Sequence, residues 1–237
     1  MMILPSELTA KRKRSEDRSE QPHGLLKRTL DVICASAGML FLAPFLAIFG
    51  TLIVIDNPGP VFYAQVRIGV NRRRSRNGGS PTGTERRKSD GFGRPFTIYK
   101  LRSMVVDAER NTGPIWAAAK DSRVTRMGRF LRKTRLDETP QLWNVLRGDM
   151  SLVGPRPERP VFVNSLVESL PEYPKRYQAL PGITGLAQVK SRYDSSIETV
   201  NRKLQYDLYY VRHGRLLLDL KIMAATVKVV ARGEGAH

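Results

Sequence analysis

Asp137 and Glu138 are adjacent carboxylates, followed by Thr139-Pro140 and then by Leu142, Trp143 and Leu146 at helical spacing, with Gly148 as a stop. The pattern predicts a helix that opens at the two acids. On local grounds the pair has a plain reading, because Asp caps a helix and Glu is favourable beside the positive end of its dipole. The surroundings offer a second reading. Arg129, Arg132, Lys133, Arg135, Arg147, Arg156, Arg159 and Arg192 crowd the same stretch of chain. An ionised Asp at a helix N-terminus among arginines is expected to have a depressed pKa. Such a carboxylate serves as a nucleophile or metal ligand rather than as a proton donor. The same cations, with helix N–H groups, suit a diphosphate. Val153-Gly154-Pro155-Arg156-Pro157 sets an arginine between two residues of fixed φ, a stiff presentation suited to bidentate phosphate contacts. Pro181-Gly182-Ile183-Thr184-Gly185 is a second turn-rich element, and either could equally be a connecting loop.

Several elements must position these groups. Val61–Val66 and Pro95–Leu101 are rich in aromatic and branched residues and predict two strands that pair as a hairpin around a long insertion. Ser122–Thr134 predicts a helix with Val124, Met127 and Leu131 on one face. Ser196–Arg212 predicts another, with Leu204, Leu208 and Val211 on one stripe. Arg215–Arg232 carries Leu217, Leu220, Ala224, Val227 and Ala231 at helical spacing, with Lys221, Lys228 and Arg232 on another face. That pattern fits a helix lying in a membrane interface, and also an ordinary surface helix.

Val32–Ile55 is an uncharged run of 24 residues between Asp31 and Asp56. At ~1.5 Å per residue it is long enough for a ~30 Å hydrocarbon core, and too long for the core of a signal peptide. Pro44 sits in its middle, so a kink is expected near Ala43. Lys27 and Arg28 precede the run, and Arg67 and Arg72–Arg74 follow it. Basic residues on both flanks are satisfied by a helix that dips into the bilayer, turns at Pro44 and returns to the same face. A straight span or a buried core helix are the other readings.

The chain has 237 residues and a formal net charge of +18. One cysteine, Cys34, excludes a disulfide scaffold, and apolar residues at 41% exclude simple disorder. The charge favours polyanions: nucleic acid, phosphorylated metabolites or an anionic membrane face. It is unevenly spread. Residues 1–28 hold seven basic and four acidic side chains, and residues 70–94 hold eight and two, so about half the excess lies in a tail and a Gly/Ser/Pro-containing basic loop. His23, His213 and His237 are scattered and suggest no zinc site.

At five places the chain resembles the bacterial sugar transferases, the monotopic phosphoglycosyl transferase family. The matching pieces are Tyr99-Lys100-Leu101-Arg102-Ser103-Met104, Leu131-Arg132-Lys133-Thr134-Arg135-Leu136-Asp137-Glu138, Gly148-Asp149-Met150-Ser151-Leu152-Val153-Gly154-Pro155-Arg156-Pro157, Pro181–Val189 and Tyr206-Asp207-Leu208-Tyr209-Tyr210-Val211. They occur in the family's order over roughly residues 27–232; each alone is weak, and together they are specific. The resemblance implies a helix-rich α+β fold: a re-entrant kinked membrane helix, a small β-hairpin, and amphipathic interfacial helices around the active site. It implies a tail at 1–26, the re-entrant helix at 27–56, a catalytic domain at 57–232 with a basic insertion at about 71–92, and a C-terminal tail at 233–237. The implied location is the bacterial inner membrane, monotopic, with the catalytic domain on the cytoplasmic face.

The implied activity moves a sugar-1-phosphate from a UDP-sugar to undecaprenyl phosphate, giving a polyprenyl diphosphate sugar and UMP. By this resemblance Asp137 is the nucleophile that forms a covalent phosphosugar ester, and Glu138, with Asp137, helps hold Mg²⁺. Lys100, Arg102, Arg132, Arg156 and Arg192 match basic positions that bind phosphates, and Asp207 matches a further acidic substrate-binding position. Anionic lipids are implied partners, a homodimer is compatible with the family, and nucleic acid is not expected. The competing reading is a membrane-tethered helix-turn-helix protein built from Ser122–Thr134 and Asp137–Arg147. It is disfavoured because Asp137 and Glu138 would sit where recognition residues meet an anionic groove.

Overall fold

A computed structural model describes residues 24–71, 92–110, 113–115, 121–191 and 197–232. Most of the N-terminal tail, nearly all of the basic insertion, Arg192 and the C-terminal tail lie outside the described residues.

The apolar run folds as one helix, α1 (Leu25–Asp56), of 32 residues. Its mean hydropathy reaches 2.4 over an 18-residue window, it is long and apolar enough to cross a membrane, and only 11% of that window is buried. Leu40 and Phe41 are 80% and 70% exposed. The helix runs unbroken through Pro44: proline cannot donate back to residue 40, and the rest of the ladder continues around that single loss.

Both ends of α1 dock on the same folded body. Near its start Lys27 is buried, and its Nζ donates to the Val153 carbonyl (3.1 Å), the Tyr210 hydroxyl (3.0 Å) and Asp219 (2.9 Å). One turn on, Asp31 accepts from the Leu152 amide at 3.1 Å. Arg28 donates to the carbonyls of Val145 and Leu146. Lys27 and Arg28, the basic flank that precedes the apolar run, are therefore internal ties. Near the other end Ile53 packs with Leu101 and Leu131, and Asp56 accepts from the Met127 amide at 2.9 Å.

The expected hairpin is present. Strands β1 (Phe62–Ile68) and β2 (Pro95–Leu101) pair antiparallel, with Tyr63 opposite Lys100. Helix α2 (Arg126–Thr134) is shorter than predicted, because Thr125 caps it by accepting from the Gly128 amide. Gly128 lies so close to the Ser103 carbonyl that a Cβ there would stand 2.0 Å away. This contact seats α2 against the chain leaving β2.

A 3₁₀ turn (Leu136–Glu138) precedes α3 (Gln141–Arg147), which ends at Gly148 in the left-handed region. Strand β3 (Ser151–Val153) pairs parallel with β4 (Gly182–Thr184), and α4 (Pro160–Ser169) lies between them in sequence. The short α5 (Leu186–Lys190) leads to α6 (Ile197–His213) and α7 (Leu216–Ala231), near the predicted bounds. Leu204 and Leu208 of α6 are buried beside Val163, Leu166, Tyr173 and Tyr177. On α7 the predicted stripe of Leu217, Leu220, Ala224, Val227 and Ala231 is exposed throughout, while Asp219 and Ile222 face inward.

Candidate active site

The acids do not open the α-helix. They occupy the 3₁₀ turn, with Arg135 just before them at φ 61°, and the α-helix starts three residues after Glu138. Arg135 closes α2 by donating its amide to the Arg132 carbonyl, and the chain then turns sharply. Pro140 suits that arrangement: it stands immediately ahead of the first α-helical residue, where no amide donor is missed.

Asp137 and Glu138 are both buried. Glu138 is pinned from two sides. Lys100, from β2, donates to its Oε1 at 2.8 Å, and Arg156, from the loop after β3, donates to the same oxygen at 2.5 Å and reaches Oε2 at 3.4 Å. Burial pushes the Glu138 carboxyl up, but Arg156 and Lys100 outweigh it and hold its pKa well below the ordinary value. Burial also lowers the pKa of Lys100, partly offset by Glu138.

Asp137 behaves in the opposite way. Burial first, and then the neighbouring Glu138 charge, raise its pKa above the ordinary value, with Lys100, Arg132 and Arg156 acting against them. The expected depression is therefore corrected. The cations bond to Glu138, and among the described residues no hydrogen bond or ion pair ends on the Asp137 carboxylate. Its neighbour uses the compensating charge, so Asp137 carries the desolvation and the repulsion.

Placement of the two cations is explicit. The buried Asn144 of α3 accepts from the Tyr99 amide (3.3 Å) and donates to the Thr97 carbonyl (2.7 Å), so its amide prolongs the ladder along the free edge of β2. That fixes α3, and the turn ahead of it, against Lys100. Arg132 leans from α2 with its Nε on the Ser103 hydroxyl at 2.9 Å. Gly154 approaches the Leu180 carbonyl so closely that a Cβ would stand 2.2 Å from it, which lets β3 and β4 converge under Arg156.

Of the predicted site residues, the fold brings together Asp137, Glu138, Lys100, Arg132 and Arg156. Arg102 is not among them. Its guanidinium is buried and donates to the Asn57 and Pro58 carbonyls, closing the chain that leaves α1. It lies one residue past the end of β2, so the alternation that aims Lys100 at the dyad no longer aims Arg102 there. Asp207 is buried in an ion pair with Arg176 at 2.6 Å, behind Arg156 rather than beside the dyad. Arg192 lies outside the described residues. Elsewhere in the cation-rich stretch, Arg159 pairs with Glu109, and Arg147 with Asp149.

Two adjacent carboxylates offer hard oxygen donors of the kind Mg²⁺ accepts, and Mg²⁺ typically takes one or two such groups together with substrate phosphates and water. Among the described residues there is no cluster of three or more acidic, His or Cys ligands, so the donor set fits a metal shared with a substrate rather than a closed protein cage.

The comparisons define the class. A model of the bacterial sugar transferases matches residues 22–233, and the chain belongs to that family. It is 36% identical, over 91% of its length, to a UDP-N-acetylgalactosamine-undecaprenyl-phosphate N-acetylgalactosaminephosphotransferase of Aeromonas hydrophila, of which it covers 46%. It is 39% identical, over 90% of its length, to a UDP-glucose:undecaprenyl-phosphate glucose-1-phosphate transferase of Caulobacter vibrioides, of which it covers 72%. It is 35% identical, over 89% of its length, to the exopolysaccharide production protein PSS of Rhizobium leguminosarum, of which it covers 98%. The chain thus spans about half of the first relative and most of the other two.

Proposed function

We propose that this protein transfers a sugar-1-phosphate from a UDP-sugar to undecaprenyl phosphate through a covalent intermediate on Asp137. The observation that carries this reading is the division of labour in the dyad: Glu138 is engaged by two cations, while the adjacent Asp137 carboxylate has no hydrogen-bond partner among the described residues. An Asp137 oxygen attacks the β-phosphorus, the bond to the bridging oxygen breaks, and UMP departs. An oxygen of undecaprenyl phosphate then attacks the same phosphorus and releases Asp137 as a carboxylate, giving the polyprenyl diphosphate sugar. Lys100, Arg132 and Arg156 bind and neutralise the diphosphate, and positioning with charge neutralisation is most of what phosphoryl transfer needs. Asp137 and the Oε2 side of Glu138 would hold Mg²⁺, which when bound supplies charge neutralisation at the phosphates.

The acceptor is a lipid, and the fold supports a monotopic, re-entrant setting for α1. At about 1.5 Å per residue the helix has some 48 Å of contour, yet residues near both ends dock on one polar body. A straight span would put those ends on opposite sides of a ~30 Å core. Exposed Phe130 packs near Phe49 of α1, and the exposed stripe of α7 suits the interface with anionic lipids. The location that follows is the cytoplasmic face of the inner membrane, where nucleotide sugars are available.

UMP release in detergent, across a panel of UDP-sugars with undecaprenyl phosphate, tests the reading. Asp137→Asn should reduce release by about three orders of magnitude or more while the protein stays in the membrane fraction. Full activity in that variant would exclude Asp137 as the nucleophile.

A further inference from the structure

The backbone that carries Arg156 has an unusual set of ties. Val153 O accepts from Lys27 and Tyr210, the Gly154 amide donates to Thr184 O at 2.9 Å, and Pro155 O accepts from the Gly182 amide at 3.0 Å. The contacts with β4 stop there, and the chain is next tied to β1, where Arg67 Nη1 donates to Pro157 O at 3.3 Å and the Ile68 amide donates to Glu158 O at 2.9 Å. Pro157 has no amide to offer, and the Arg156 carbonyl is held instead by a side chain, Arg176 Nη2, at 2.9 Å. Arg176 is buried, pairs with Asp207 at 2.6 Å, donates through Nη1 to the Tyr173 hydroxyl at 2.5 Å, and lies over the Tyr173 ring at 4.8 Å. None of these three side chains touches the dyad in the described contacts; Asp207 and Tyr173 hold Arg176, and Arg176 holds the backbone of the arginine that does.

A buried ion pair of this kind is a weak source of net stability, because desolvation offsets most of its attraction. A planar guanidinium fork held by a carboxylate, a hydroxyl and a ring is, in contrast, a precise way to fix one carbonyl. From these contacts we infer that Arg176, held by Asp207 and Tyr173, is a positioning residue. It locks the Arg156 backbone so that the Arg156 guanidinium meets Glu138 and, in the proposed reaction, the donor diphosphate. This rests on the functional reading above. It assigns to Asp207 a role at one remove from the substrate rather than in contact with it.

The test is a double-mutant cycle on UMP release, using Arg176→Lys, Asp207→Asn and Arg156→Ala singly and in pairs. If Arg176 acts through Arg156, Arg176→Lys lowers kcat/KM roughly tenfold or more in the wild-type background and by less than about twofold when Arg156 is already Ala. Equal losses in both backgrounds would overturn the inference, because general damage does not depend on Arg156. Tyr173→Phe removes only one hydroxyl of the clamp and serves if the charged substitutions fail to fold. It should give a smaller loss that also disappears in the Arg156→Ala background. Hydrogen exchange read by mass spectrometry needs no turnover: Arg176→Lys should speed exchange over residues 154–159 and leave 141–147, in α3, unchanged. Unaltered exchange at 154–159 would also overturn the inference. A wild-type protein that releases no UMP from any UDP-sugar would overturn the functional reading instead, leaving the exchange experiment to decide the clamp.

Discussion

At Asp137 and Glu138 two neighbouring carboxylates are driven apart in acidity by where the cations point. Because the Asp137 pKa is raised, the proposed nucleophile loses its proton at a higher pH than a free Asp, and turnover should fall as pH drops through that raised value. Glu138→Gln removes the like charge and frees Lys100 and Arg156 to act on Asp137. The acid limb of kcat/KM for the residual UMP release should therefore move to lower pH, even though the rate falls; a limb that stays in place would contradict this account of the dyad. Arg102 gives a separate prediction. Its bonds close the chain after α1, so Arg102→Ala should cost about 1–3 kcal/mol in thermal unfolding and leave KM for the UDP-sugar unchanged. The sequence pattern identified the dyad and placed Arg132 and Arg156 among the arginines around it, because acids among arginines are conspicuous; Lys100 was implied by the family resemblance alone. It did not reveal which acid the cations bond, since that depends on the directions of β2 and of the loop after β3.

Elements with strong periodicity were legible, and elements set by tertiary contact were not. The stripes of α6 and α7 and the branched residues of the hairpin predicted those elements nearly to their ends. The 3₁₀ turn was missed because Asp, Glu and Pro are also good helix openers, and only the left-handed Arg135 ahead of them breaks the continuity. Strands β3 and β4 are three residues each, too short for an alternation to register. The docking of α1 left a fainter trace. Lys27 and Asp31 stand one helical turn apart at the start of the apolar run, and Asp219 is a lone acid within Leu216–Leu220. A charge kept inside an apolar stretch signals a buried partner. Lys27→Met would leave Asp219 buried without its cation and should destabilise the fold by about 3–5 kcal/mol, with most of the loss recovered by adding Asp219→Leu. Chemical unfolding in detergent measures both variants.

For the molecule as a whole, the excess of positive charge divides into separate jobs. Lys27, Arg28 and Arg102 are internal ties, Lys100 and Arg156 serve the dyad, and the basic insertion falls mainly outside the described residues. The large exposed side chains of α1, Phe130 and the α7 stripe are apolar, as the proposed setting in one leaflet requires. The single cysteine makes the topology testable. With Cys34 replaced by Ser, cysteines placed at Gly24 and at Pro60 should both react with a membrane-impermeant thiol reagent in inverted vesicles, and neither should react in intact spheroplasts. Labelling of the two positions from opposite sides would establish a span and exclude the re-entrant setting.

The central claim is the covalent step at Asp137, and one mass measurement tests it most directly. The protein is mixed with a UDP-sugar that it uses, with undecaprenyl phosphate withheld, and then digested and analysed. The account predicts close to one UMP released per active site and a phosphosugar on the peptide containing Asp137. No adduct, with UMP appearing only once undecaprenyl phosphate is added, would contradict it and indicate direct transfer between the two substrates.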